Sequence, residues 1–285
     1  MAFVNRLKSA FRRTAGGADV PQADRTVAIR RVGDEIEATY QVAYNNVRPL
    51  HRPVYRTLKV PAGFYEERRH LLEATPRVTN HDLVSFWLFA QLLDRIPQDT
   101  VTVVEFGLWQ GAFLENLALR AEHTGKKLVL YGFDNFVRYP DIAEAIDLRS
   151  RPRSDYERAI SAHPPASPAD IRRRLAQYPS VVDVKLVAGD ITQLTPEPGR
   201  FDFVHFDMDF HAAFQAAMAW VANPVDTVLV VDDYYQPSWP GIVDAVNEFS
   251  RKHHVYPVNL SDYFRIERSL RTQWINILLP MRTEA

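Results

Sequence analysis

The 285-residue chain contains no cysteine. That excludes disulfides, a thiolate nucleophile and any cysteine-held metal, and it fits a reducing compartment, with the cytoplasm as the expectation. Neither sign of charge dominates: 34 Lys+Arg against 35 Asp+Glu leave a net charge of −1, so nothing global draws nucleic acid as a partner. No apolar run reaches the roughly 18–20 residues that a membrane span needs. The segment Met1 to Arg13 alternates apolar and basic residues at helical spacing without the uninterrupted stretch of a secretory signal; a frayed or self-associating helix is expected there. The dinucleotide fingerprint G-x-G-x-x-G is absent too, which argues against a nicotinamide cofactor. No internal repeat or low-complexity tract is present.

What remains is a globular composition, 46% hydrophobic and 12% aromatic, enough for a sizeable core. Residues 1–75 carry basic residues, then scattered aromatics (Tyr40, Tyr44, Tyr55, Phe64, Tyr65), and are expected to form a basic, helical accessory segment serving as a cap or for oligomerisation. Residues 76–285 form the second region. Its first element is a helix from Asn80 to Arg95 with Thr79 or Asn80 as cap. From Thr100 strands and helices alternate: strands at 100–105, 127–134, 184–190, 201–207 and 227–231, with helices near 113–121, 212–221 and 241–252. Two late runs, 255–266 and 274–279, follow one another with no helix predicted between them. This pattern predicts an α/β protein: a Rossmann-like, seven-stranded, mostly parallel sheet with a C-terminal antiparallel hairpin and an N-terminal helical cap.

The strands end in acids. Thr227 to Val231 runs into Asp232-Asp233, and the preceding strand runs into Asp207-Met208-Asp209. Ligands bind at the carboxyl ends of strands in open α/β sheets, and carboxylates crowded there repel one another unless a hard cation or shared proton compensates. A divalent-metal site is therefore the first expectation. The first strand ends in Glu105-Phe106-Gly107-Leu108-Trp109-Gln110-Gly111, where glycine eases a sharp turn into a helix whose N-terminus offers unpaired N–H groups. Asp134 ends the second strand, placed either to accept from ribose hydroxyls or to cap a turn. Asp190 ends the third, either an adenine acceptor or a turn aspartate. Trp109 either shields a cofactor or packs in the core. His211, just past the fourth strand, is a candidate base, whereas His205 within it reads as a packed core histidine. Tyr234, Tyr235 and Trp239 either stack on a sugar ring or form a rigid turn.

Five motifs in order, Val104-Glu105-Phe106-Gly107 with Gly111, Tyr131-Gly132-Phe133-Asp134-Asn135-Phe136, Ala188-Gly189-Asp190-Ile191, His205-Phe206-Asp207-Met208-Asp209 and Val230-Val231-Asp232-Asp233-Tyr234, resemble those of class I S-adenosylmethionine-dependent methyltransferases. More narrowly they resemble the metal-dependent sugar O-methyltransferases of the macrocin O-methyltransferase family. The resemblance spans about residues 75–250 and leaves residues 1–75 unmatched. It implies that Glu105 and the Gly107–Gly111 turn, with Trp109, hold the methionine part of S-adenosylmethionine, Asp134 the ribose, and Asp190 with Ile191 the adenine. Asp207, also beside the cofactor, would ligate Mg²⁺ together with Asp232 and Asp233, and Asp209 would be the general base, with His211 as its alternative. A sugar hydroxyl is a poor nucleophile at neutral pH, and chelation lowers its pKa so that a carboxylate can take the proton. The implied acceptor is a sugar or glycosylated natural product, and a homo-oligomer is expected. A catechol- or caffeoyl-type methyltransferase and a non-catalytic S-adenosylmethionine-binding or scaffolding protein are the alternatives.

Overall fold

Runs of Val, Ile, Phe and Thr bounded by Gly, Pro and Asp become strands because branched and aromatic side chains suit a pleated, buried surface. The computed structural model describes residues 25–45, 48–73, 83–137, 165–235, 239–266 and 274–281. The chain divides into two compact units, Met1–Arg77 and Val78–Ala285.

Where a helical accessory segment was expected, the described residues of the first unit are mostly strand. Strands β1 (Arg25–Val32), β2 (Glu35–Asn45) and β3 (Arg48–Pro61) form an antiparallel meander, and among the described residues of this unit α1 (Ala62–Glu73) is the helix. The signal was present in the sequence: Gly33-Asp34 is a two-residue turn between alternating runs, and Gly33 takes φ +62° as such hairpins require. Opposite charges meet across the strands, Arg30 with Glu37 at 2.6 Å and Lys59 with Glu35 at 3.1 Å. Ile36, Val60, Phe64 and Tyr65 are buried. The N-terminal helix expected at 1–13 lies outside the described residues.

In the second unit, α2 (Leu83–Arg95) precedes the sheet; its expected cap lies outside the described residues. Then come β4 (Thr100–Phe106), α3 (Ala112–Thr124), β5 (Lys127–Asp134), α4 (Pro168–Leu175), β6 (Val181–Ala188), β7 (Phe203–Phe206), α5 (His211–Met218), β8 (Val228–Val231), α6 (Pro240–His253), β9 (Val255–Asn259), α7 (Leu260–Phe264) and β10 (Asn276–Pro280). The seven strands lie in the order β6-β5-β4-β7-β8-β10-β9, all parallel except β10, which runs antiparallel to both its neighbours. The expected hairpin is thus present, with one addition: the five-residue α7, capped by the Asn259 side chain, stands where continuous strand was read.

The chain lays β4, β5 and β6 outward in one direction and then returns to place β7 on the other side of β4. That reversal makes the β4/β7 boundary the switch point of the sheet, where a crevice opens at the carboxyl ends. Side chains alternate between the two faces of each strand. Phe133, Phe106 and Phe206 lie side by side on one face, with ring centroids 4.9 and 5.4 Å apart, and Phe214 of α5 covers them. One residue earlier, Glu105 and His205 sit side by side against Phe89 of α2 and Phe113 of α3. The core therefore closes on both faces immediately below the strand ends.

Candidate active site

A staircase of main-chain hydrogen bonds carries the sheet one residue beyond its strands. Gly107 N–H donates to Phe133, Asp207 to Phe106, Asp232 to Phe206 and Gly189 to Asp134, each at 2.8–3.0 Å. This register places the acids that follow β7 and β8 on one edge with the turn that follows β4. Gly107 takes φ +89°, and a methyl group there would stand 2.0 Å from the Asp207 carbonyl oxygen, so only glycine permits this approach.

Carboxylate oxygens of Asp207, Asp209 and Asp233 lie within 4.8 Å of one another. Asp233 sits at φ +55°, in the left-handed region. That turn breaks the simple alternation of an extended strand and lets Asp233 reach the group. Asp232, its neighbour, is buried, and its Oδ1 accepts from the Asp233 amide at 2.8 Å. Among the described residues Asp232 belongs to no such group of three. Three of the four aspartates singled out in the sequence thus come together, but with Asp209 in place of Asp232. His211 opens α5, half-buried, two residues past Asp209.

A second acidic group, Glu105, His205 and Asp207, satisfies the same distance limit. Its first two members are buried at 2% and 0% exposure, and His205 Nδ1 lies 3.2 Å from Glu105 Oε1. Among the described residues the buried Glu105 Oε2 has no hydrogen-bond partner. Burial raises the Glu105 pKa well above its usual range, and the charges of Asp134 and Asp232 push in the same direction. An unsatisfied buried oxygen of this kind is costly, so it fits a site that receives a donor.

Asp134 accepts from the Trp109 amide at 2.9 Å and from the Phe136 amide at 2.7 Å, one on each oxygen. Burial raises its pKa against the opposing effect of these amides. The Leu108 and Asn135 amides also face this carboxylate, so four backbone N–H groups gather around it. Asp190 accepts from the Thr192 amide and hydroxyl, capping the short helical turn Ile191–Gln193, and Ile191 is buried in the core. Trp109 is half-buried at φ +50°. Of the aromatic loop, Tyr234 and Trp239 are buried, the latter edge-on to Phe210, while Tyr235 is 63% exposed. The Tyr234 hydroxyl donates to Asn247, and burial with the neighbouring Tyr235 hydroxyl raises its pKa far above the usual value. Residues 236–238 of the loop lie outside the described residues.

Sequence reading gave no role to Gly132 or Arg174. Gly132 makes room for Leu108, which would lie 2.5 Å from a methyl group there. Arg174 reaches from α4 to the glycine turn, a contact between residues more than sixty positions apart that no local pattern encodes.

The mostly parallel seven-stranded sheet, with its single reversed strand near one edge, matches a Rossmann-like methyltransferase fold. The crystal structure of CalS11, a calicheamicin methyltransferase, is similar with a TM-score of 0.52 and 17% identity, covering 76% of this chain and 90% of that one. The O-methyltransferase NovP is similar with a TM-score of 0.50 and 19% identity, covering 76% and 88%. By sequence, no protein-family model and no curated protein matches. At such identities the likeness is one of fold.

Proposed function

We propose that the protein is an S-adenosylmethionine- and Mg²⁺-dependent O-methyltransferase acting on a hydroxyl of a sugar or glycosylated natural product. The observation that carries this reading is the Asp207–Asp209–Asp233 carboxylate group beside the Gly107–Gly111 turn at the switch point of a methyltransferase fold. The five ordered motifs support it, as does the likeness to a calicheamicin methyltransferase and to NovP. An all-oxygen donor set suits a hard divalent ion, and the acidic edge suits a cofactor carrying positive charge.

Asp207 and Asp233, common to the sequence motif and to the cluster, would hold the ion. Asp232 would join them only through its second oxygen, because the first accepts from the Asp233 amide. Asp209 is the proposed proton acceptor, with His211 as its alternative. Glu105, Gly107, Trp109 and Gly111 would hold the methionine part of the cofactor, Asp134 its ribose, and Asp190 with Ile191 its adenine. Bound S-adenosylmethionine supplies an electrophilic methyl group, and bound magnesium acidifies the hydroxyl beside it. The chain's own residues orient that hydroxyl and take its proton. The accessory first unit, homo-oligomer assembly and a cytoplasmic setting belong to the same proposal. No helix among the described residues is long and apolar enough to cross a membrane.

The test is a methyl-transfer assay on glycoside and catechol panels, with and without EDTA. Turnover is expected on glycosides and is lost with EDTA. Asp207→Asn and Asp233→Asn should raise the Mg²⁺ half-saturation about tenfold or more. Asp209→Asn should lower kcat by roughly 10²–10⁴ even at saturating Mg²⁺. Full turnover in EDTA would remove the metal from the reading, and a preference for catechols would reassign the acceptor.

A further inference from the structure

Three residues of the glycine turn adopt positive φ: Gly107 at +89°, Trp109 at +50° and Gly111 at +72°. In G-x-G-x-x-G the second glycine takes such a conformation freely. Here that place is held by Trp109, for which the left-handed region is strained. A strained loop persists only where its surroundings hold it. The segment around α4 does so at several points. Ala166 N–H donates to the Trp109 carbonyl at 2.9 Å. The Arg174 guanidinium donates through Nη2 to the Gln110 carbonyl and through Nε to Glu115 Oε2 at 3.1 Å. Ile171 fills the space over Gly111, where a methyl group would meet its side chain at 3.2 Å.

The pair is well enclosed, with the Arg174 and Glu115 side chains 14% and 6% exposed. Tyr178 adds a longer contact to Glu115 Oε1 at 3.4 Å. The bracket itself is anchored: Ser167 caps α4, Ile171 and Leu175 are buried, and Arg172 donates to the Leu186 carbonyl on β6. In a trans peptide the carbonyl and the following N–H point in opposite directions. Drawing the Trp109 carbonyl toward Ala166 therefore turns the Gln110 N–H away from α4. Drawing the Gln110 carbonyl toward Arg174 likewise directs the Gly111 N–H into the turn, where it donates to Leu108.

We infer that Arg174 is a positioning residue for the cofactor: from α4 it clamps the Gln110 carbonyl and Glu115, and so holds the glycine turn in its binding conformation. The inference rests on the proposed use of that turn for S-adenosylmethionine. Arginine is required because its fork serves both acceptors at once, whereas a lysine ammonium at the same place serves one.

The test compares wild type with Arg174→Lys and with the double variant Arg174→Met/Glu115→Met, which removes both charges and keeps apolar bulk so that no buried charge is stranded. Circular dichroism establishes that each folds. Hydrogen exchange without ligand is expected to accelerate about tenfold at Leu108–Gly111 in both variants. The Kd for S-adenosylhomocysteine by calorimetry and the KM for S-adenosylmethionine should rise tenfold or more. Meanwhile kcat at saturating cofactor stays within threefold and acceptor KM within twofold. A merely structural role would lower Tm and leave those constants unchanged. Unchanged exchange, or folded variants that bind S-adenosylhomocysteine within twofold of wild type, overturns the clamp alone. Failure of the wild type to bind S-adenosylhomocysteine overturns the cofactor reading and the positioning role with it, whatever the exchange shows.

Discussion

Gly107 and Glu105 stand two residues apart at the end of β4, and each has a single property that a substitution can isolate. For Gly107 it is space: the Asp207 carbonyl oxygen lies 2.0 Å from where a methyl group would be, and φ is +89°. Gly107→Ala must shift backbone on β7 as well as strain its own, so it should destabilise by about 2–4 kcal/mol in urea unfolding. A loss under about 0.5 kcal/mol would show that the two strand ends separate freely. For Glu105 the property is charge. Burial raises its folded pKa well above the ordinary glutamate value, so the folded state holds the proton more tightly than the unfolded chain. The stability this contributes is complete below the unfolded value and disappears as pH rises through the folded value. Glu105→Gln, neutral throughout, should raise the Tm of the ligand-free protein at pH 8 by about 2–4 °C, corresponding to about 1 kcal/mol. The gain should vanish below about pH 4, and the affinity for S-adenosylhomocysteine should fall. A Tm at pH 8 equal to or below wild type would contradict the cost assigned to this carboxylate.

Among elements, α2 and α3 form the layer beneath the glycine turn, and polar groups join them as well as apolar packing. Arg120 and Asp94 make a forked pair, Nε to Oδ1 at 3.0 Å and Nη2 to Oδ2 at 2.7 Å, and the Asn116 side chain donates to the Phe86 carbonyl at 3.2 Å. Forked geometry and partial burial place this ion pair above an ordinary surface pair. A double-mutant cycle with Asp94→Asn and Arg120→Met should give a coupling of about 1 kcal/mol. A value under about 0.2 kcal/mol would reduce it to a crystal-like decoration of the surface. Elements of this unit were legible in the sequence where one period dominated. Strands such as Thr100–Phe106 and Lys127–Asp134 are unbroken apolar runs ending in an acid, and parallel strands covered on both faces read that way. The meander of the first unit is faint in the sequence because charges and aromatics interrupt its alternation and the short turn Gly33-Asp34 fixes its first hairpin. Helix α7 was hidden because Tyr263-Phe264 continues an aromatic run, while its cap, Asn259, acts through a side-chain bond to the Ser261 amide. The seat of β10 between β8 and β9 depends on pairing across the whole sheet, which no local window contains.

At the scale of the molecule, a chain with a net charge of −1 gathers Glu105, Asp134, Asp207, Asp209, Asp232 and Asp233 around one sheet edge. Which strands end in acids could be read from the sequence, and so could the meeting of Asp207 with Asp233. The division of labour within the cluster could not, because it turns on the left-handed conformation of Asp233 and on the bond from its amide to Asp232. An edge so charged destabilises the ligand-free fold, and a ligand that satisfies it returns that free energy as stability. The cofactor residues proposed above all lie in the unit Val78–Ala285, so binding should appear in that unit's unfolding. With S-adenosylhomocysteine at 100 times its Kd, linkage adds about 2.7 kcal/mol. For a domain of this size that corresponds to a Tm rise of roughly 5–11 °C, read by scanning calorimetry. NAD at the same concentration should leave the transition in place, because Trp109 stands where the dinucleotide fingerprint has its second glycine. A larger shift with NAD than with S-adenosylhomocysteine would mean that the acidic edge serves a different cofactor.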